Sequence, residues 1–154
     1  MIRGSLYWAR TSDRPHLFLA VSGSGHTLTF DDAVDGNGPS PMEAVALALG
    51  GCSAFDVVTI LRKKRQDVTG YEVRIEGDQQ MGPPAVFSTL RVHHVLRGRA
   101  IDPEAVRQAI ELSHRKYCSV GAMLAKSAPI ESSFEIVNEE TDGTVTPHSI
   151  RKAG

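Results

Sequence analysis

The chain has 154 residues, 41% hydrophobic and 23% charged, with 14 Gly and 8 Pro. This is the composition of a single soluble globular domain, which excludes a fibre or a disordered tail; a domain of this length buries roughly 68–70% of the surface its unfolded chain exposes, so two cysteines are not needed as scaffolding. A formal net charge of −1, from 17 basic and 18 acidic residues, gives no reason to expect nucleic acid or an anionic membrane as partner.

Met1 to Arg10 holds no apolar run long enough for a signal-peptide core, which points to the cytosol. There a cysteine pair is more often redox-active, catalytic or simply buried than a permanent disulfide. No apolar segment is expected to approach the roughly 20 residues that a membrane helix needs: the longest candidate, Ala44 to Leu61, carries Asp56 and two glycines.

Residues 3 to 30 read as an antiparallel meander. Leu6 and Trp8, then Leu17, Leu19 and Val21, alternate with other residues, and Thr27 to Phe30 follows the turn-forming run Ser22-Gly23-Ser24-Gly25. Asp31 to Pro41 is a loop rich in residues that break regular structure. Ser40 is placed as N-cap, with Pro41 at the first helical position and Glu43 at the spacing of a capping box. The helix from Glu43 to about Arg65 is apolar on nearly every face, so it is expected to be interior; its end, Arg62-Lys63-Lys64-Arg65, suits the helix dipole.

Two longer strands follow, Val68 to Glu76 and Val86 to Arg97, the second with Val86, Ser88, Leu90, Val92, His94 and Leu96 on one face. Asp102-Pro103-Glu104 opens a second helix with Val106, Ile110 and Leu112 as its stripe. A break near Lys116 precedes a third helix from about Cys118 to Lys126, and Pro129 ends it ahead of a last strand, Ile130 to Val137. One domain, residues 1–137, is expected, with 138–154 a tail that has little to bury. The element order predicts an α+β fold with helices on one face of a mostly antiparallel sheet. A helix apolar all round exceeds what one sheet covers, which favours burial against a second copy of the chain.

Candidate chemistry centres on the cysteines. Cys52 follows Gly50 and Gly51 inside the long helix, where each Gly costs about 1 kcal/mol relative to Ala. Either another backbone approaches closely there, or the glycines open a crevice through which a small substrate reaches the sulfur. Asp56 lies one turn after Cys52 on the same face; it disfavours a thiolate unless a cation joins them, or else makes a bond across a helix interface. Cys118, in Arg115-Lys116-Tyr117-Cys118-Ser119, has two cations just upstream, so local electrostatics favour its thiolate more than that of Cys52. No CxxC or HxxxH spacing supports a metal site. Adjacent strand residues His93 and His94 point to opposite faces.

With Ser40-Pro41-Met42-Glu43, then Gly50-Gly51-Cys52-Ser53-Ala54-Phe55-Asp56-Val57-Val58, and the distant Lys116-Tyr117-Cys118-Ser119-Val120, the chain closely resembles the OsmC/Ohr family, the osmotically inducible and organic hydroperoxide resistance proteins, and its YhfA-like branch in particular. The resemblance covers about residues 1–137. It implies an intertwined homodimer, with long central helices buried between two sheets. It also implies a thiol-dependent peroxidase for organic or other small hydroperoxides, with Cys52 the peroxidatic nucleophile and Cys118 the resolving thiol, and a lipoyl or thioredoxin-like dithiol as reductant. No metal or organic cofactor is implied. The organic hydroperoxide resistance branch has a glutamate at the position of Met42 and an N-terminal arginine, to which Arg3, Arg10 and Arg14 are not matched. The nearest carboxylate in this chain is Glu43, a candidate catalytic residue that is also the capping-box residue and sits about half a turn round the helix from the sulfur. The alternatives are a non-catalytic binder of a small apolar or electrophilic ligand in the dimer crevice, and a pair of inert core cysteines.

Overall fold

A computed structural model describes residues 1–8, 13–32, 34, 36–139 and 145–150. The chain forms two compact units, Met1–Val45 and Ala46–Gly154.

The first unit is a three-stranded antiparallel sheet in the order β1 (Gly4–Trp8), β2 (Phe18–Ser22), β3 (Thr27–Phe30), as the alternation predicted. Leu6, Tyr7, Trp8, Leu19 and Leu28 are all exposed, and among the described residues of this unit only the polar Asp31 is fully buried. Asp31 is held by the backbone N–H groups of Asn37 and Asp32 and by Arg14 Nη1 at 3.0 Å. Those bonds, the one from Asn37 foremost, keep its carboxyl below the usual range.

Helix α1 (Pro41–Lys63) starts where its cap predicts. The Glu43 N–H donates to Ser40 Oγ at 3.3 Å, and the Ser40 N–H donates to Glu43 Oε2 at 2.8 Å. In its second-unit portion the buried residues are Leu49, Gly50, Ser53, Val57 and Leu61, one stripe at helical spacing. The opposite face stays open: Leu47 is 62% and Phe55 80% exposed. The expectation of a helix buried all round is therefore met on one side only. α1 is also long and apolar enough to cross a membrane, with an 18-residue stretch of mean hydropathy 2.0, which corrects the sequence reading: Asp56 and two glycines do not offset so many aliphatic residues.

The second unit is a four-stranded sheet in the order β4 (Asp67–Gln79), β5 (Phe87–Arg99), β6 (Ile130–Asn138), β7 (Val145–Ser149). β4 and β7 pair antiparallel with their neighbours, and β5 runs parallel to β6. A parallel pair needs a crossover, which α2 (Pro103–Leu112) and α3 (Ser119–Leu124) supply. Asp102 caps α2 by accepting from the Glu104 N–H at 2.9 Å. Val106 and Ile110 are buried as predicted, whereas Leu112 is 40% exposed. β7 falls in the stretch expected to be a mobile tail with little to bury; its His148, paired in register with Phe134, stacks its ring on it at 4.7 Å. The core joins Val57 and Leu61 of α1, Leu96 of β5, Val106, Ala109 and Ile110 of α2, and Phe134 and Ile136 of β6. Each such aliphatic side chain contributes about 1.5–3 kcal/mol.

Within that core His94 is fully buried, and its Nδ1 lies 2.6 Å from the Tyr71 hydroxyl. Burial, helped by the neighbouring His93, pushes His94 down to about 4, and burial pushes Tyr71 up. Folded His94 is thus neutral at pH 6, where an unfolded histidine is already mostly protonated. Stability is complete above about pH 6.5 and falls as the pH drops from there to about 4, by up to about 3 kcal/mol from this group. Thermal unfolding across that range checks it, with the slope expected to flatten in His94→Gln.

Candidate functional site

Four groups from three elements meet on the flank of α1. At 100° per residue, Cys52 and Asp56 fall between the buried stripe and the open face, and Cys52 is half-buried. Cys118 arrives from elsewhere in the chain as N-cap of α3 and is 4% exposed. One donor atom from each of Cys52, Asp56 and Cys118 lies within 4.8 Å of the others.

The placement of Cys118 follows from a wide turn. After α2 the backbone forms a single π-helical segment, Ser113–Tyr117, closed by the Cys118 N–H donating to the Ser113 carbonyl at 2.8 Å. The extra residue in that turn ends the helix at the predicted break and sets Cys118 in extended backbone, where Cys118 Sγ accepts from the Gly121 N–H at 3.2 Å. The same turn positions Ser113, fully buried, whose hydroxyl donates to Asp56 Oδ2 at 2.9 Å. Ser113 was missed in the sequence, although a signal existed. It continues the helical spacing of Val106 and Ile110, and a serine on a buried stripe requires a polar partner.

The expectation that the upstream cations favour a thiolate at Cys118 is not met. Burial above all, then its hydrogen bond with Cys52, pushes the Cys118 thiol up to about 11; the Gly121 N–H opposes this, and the Asp56 charge adds to it. The upstream cations do not help. Arg115 and Lys116 are exposed, and the Lys116 ammonium sits 5.4 Å from the Tyr117 ring centre.

The two glycines before Cys52 divide the two readings between them. A Cβ on Gly50 would come within 2.8 Å of Ile75 Cδ1, so here the helix packs tightly on β4. A Cβ on Gly51 would meet nothing within 4 Å, which leaves an opening beside Cys52. On the other side, the cavity shared by Leu49, Ser53, Ser113 and Cys118 has a volume of ≈ 10 Å³, about one water. That cavity itself has no room for a larger molecule.

Glu43, the other candidate carboxylate, spends its oxygen on the Ser40 N–H and acts as a cap; the carboxylate beside the sulfurs is that of Asp56. Among the candidate arginines, Arg14 pairs with Asp31, Arg3 Nε lies 3.3 Å from Met1 Sδ, and Arg10 falls outside the described residues.

Comparison with known proteins agrees with this architecture. Residues 34–133 match the family described as OsmC-like protein. The chain is 44% identical over 120 residues to protein YhfA of Escherichia coli K12, covering 78% of this chain and 90% of YhfA. The crystal structure of a hypothetical protein from Aquifex aeolicus VF5 shares 29% identity with a TM-score of 0.79, over 90% of this chain and 98% of that one. An organic hydroperoxide resistance protein from Elizabethkingia anophelis superposes with a TM-score of 0.63 over 90% of this chain and 96% of that one; at 12% identity the likeness is one of fold. With the family match spanning most of the chain, this protein belongs to the OsmC-like family.

Proposed function

We propose that the chain is a thiol-dependent peroxidase acting on small organic hydroperoxides, with Cys52 as nucleophile and Cys118 as resolving thiol. The observation that carries this reading is the convergence of the two sulfurs and the Asp56 carboxylate within 4.8 Å, from elements far apart in sequence. The accessible sulfur suits attack and the buried one suits resolution, since the sulfenic acid forms where substrate enters and condenses with a thiol that substrate cannot reach.

In the first step the Cys52 thiolate attacks the outer peroxide oxygen. An S–O bond forms, the O–O bond breaks, and the leaving alkoxide takes a proton and departs as alcohol. Cys118 then attacks the Cys52 sulfur: the S–S bond forms, the S–O bond breaks, and the hydroxide leaves as water with the Cys118 proton. A thiol pushed up to about 11 needs a nearby acceptor for that proton, and Asp56, oriented by Ser113, is placed to relay it. A dithiol reductant of the lipoyl or thioredoxin type reopens the disulfide by exchange. The alternative, a non-catalytic binder of a small apolar or electrophilic ligand in the dimer crevice, gains nothing from the cavity behind Cys118, which has room for about one water.

The assembly belongs to the same reading. A three-stranded sheet without a buried apolar residue, and a helix face that exposes Leu47, Phe55 and Val58, are surfaces that a water-soluble domain covers. A second copy of the chain covers both in the homodimer proposed here.

Two measurements test these points. Reduced protein treated with cumene hydroperoxide is expected to turn over substrate with a dithiol. Cys52→Ser should abolish turnover, Cys118→Ser should trap a sulfenic acid on Cys52, and Asp56→Asn should slow disulfide formation about a hundredfold; thiols that survive the peroxide unchanged refute the assignment. For the assembly, light scattering should give a dimer for the wild type, and Phe55→Arg should shift it to monomer or insoluble protein. A monomeric wild type refutes the dimer.

A further inference from the structure

Cys52 Sγ, Cys118 Sγ and an Asp56 carboxylate oxygen, all within 4.8 Å of one another, make three donors of a kind that metals bind. The two sulfurs come from different elements, and Ser113 fixes one Asp56 oxygen at 2.9 Å, which leaves the other available. Three groups able to carry negative charge converge here. Among the described residues, no cation forms an ion pair with Asp56.

Tetrahedral zinc holds thiolates at about 2.3 Å and carboxylate oxygens at about 2.0–2.2 Å. That geometry sets donors about 3.5–3.8 Å apart, so the present cluster has to contract by at most about an ångström. Closure of that size is within reach of side-chain rotation at Cys52, which borders the opening over Gly51. The donor set also selects the ion: two soft thiolates favour Zn²⁺ or Cd²⁺, whereas Mg²⁺ and Ca²⁺ require oxygen ligands.

We propose that the reduced chain binds one thiophilic divalent cation through Cys52 Sγ, Cys118 Sγ and the Asp56 carboxylate, with water as fourth ligand. The spacing rules for metal motifs do not reveal such a site, because its ligands are a Cys-x-x-x-Asp turn of α1 and a helix cap distant in sequence. Binding converts two thiols to thiolates and releases two protons: two S–H bonds break and two metal–sulfur bonds form, with no change in oxidation state. A disulfide between the same sulfurs removes both thiolate ligands, so metal binding and oxidation exclude each other. The proposal needs only reduced thiols and stands whether or not the chain is a peroxidase.

The test uses reduced, metal-free protein with no hydroperoxide present. Cd²⁺ is titrated while its sulfur charge-transfer absorbance is followed in the ultraviolet, and Zn²⁺ is then used to displace it. The expected result is one ion per chain, about two protons released per ion, and protection of both cysteines from iodoacetamide. Cys52→Ser and Cys118→Ser should each weaken binding at least about a hundredfold, and Asp56→Asn about tenfold. Absence of the band, or unprotected cysteines in saturating Cd²⁺, overturns the site without recourse to any variant. Unchanged affinity in a folded Cys52→Ser protein overturns it as well. Failure here leaves the peroxide reaction untouched, and a metal site with inert thiols under hydroperoxide refutes only the peroxidase.

Discussion

The angular setting of α1 on the second unit governs everything at the site. Leu49, Gly50, Ser53, Val57 and Leu61 are buried along one stripe, with Val57 and Leu61 locked into the core formed by β5, β6 and α2. Gly50 allows β4 to approach until Ile75 fills the place of a side chain. Once that stripe is fixed, helical geometry leaves no choice about Cys52 and Asp56: they must lie on the flank, half in and half out. A larger residue at 50 must displace the Ile75 side chain or tilt the helix, and a tilt moves the sulfur relative to Cys118.

The second control is the end of α2. One additional residue in the turn at Ser113–Tyr117 places Cys118 as a helix cap and turns the Ser113 hydroxyl toward Asp56. The two cysteines thereby acquire different surroundings from the same packing. Cys118 is enclosed and its thiol held in the protonated form, while Cys52 borders the opening over Gly51. In the proposed peroxidase reaction, that asymmetry, rather than the charge of residues nearby in sequence, is what distinguishes an attacking sulfur from a resolving one.

Much of the fold was legible because its signals are local. The Ser40–Glu43 capping box, the Asp102 cap, the alternation in β5 and the break before Cys118 each appear as predicted. What was misread depends on contacts distant in sequence. Arg115 and Lys116 looked like activators of Cys118, but their side chains point to solvent while the sulfur is buried. β7 was overlooked because its pairing with β6, not an apolar pattern of its own, makes it a strand. Glu43 makes the local cap bond that the sequence signalled, and the carboxylate beside the thiols is that of Asp56.

The open face of α1 and the uncovered sheet of the first unit share one physical meaning: both present more apolar surface than a chain in water leaves bare. The account's central claim, however, is the pairing of two sulfurs across α1 and α3. A crystal structure of the protein before and after exposure to an organic hydroperoxide tests it most directly. The account predicts that Cys52 Sγ and Cys118 Sγ close to a bonded distance of about 2.05 Å, with α1 unmoved and Ser113 still on Asp56. Sulfurs that remain apart in the treated crystal, or a disulfide formed between two chains instead, would contradict it.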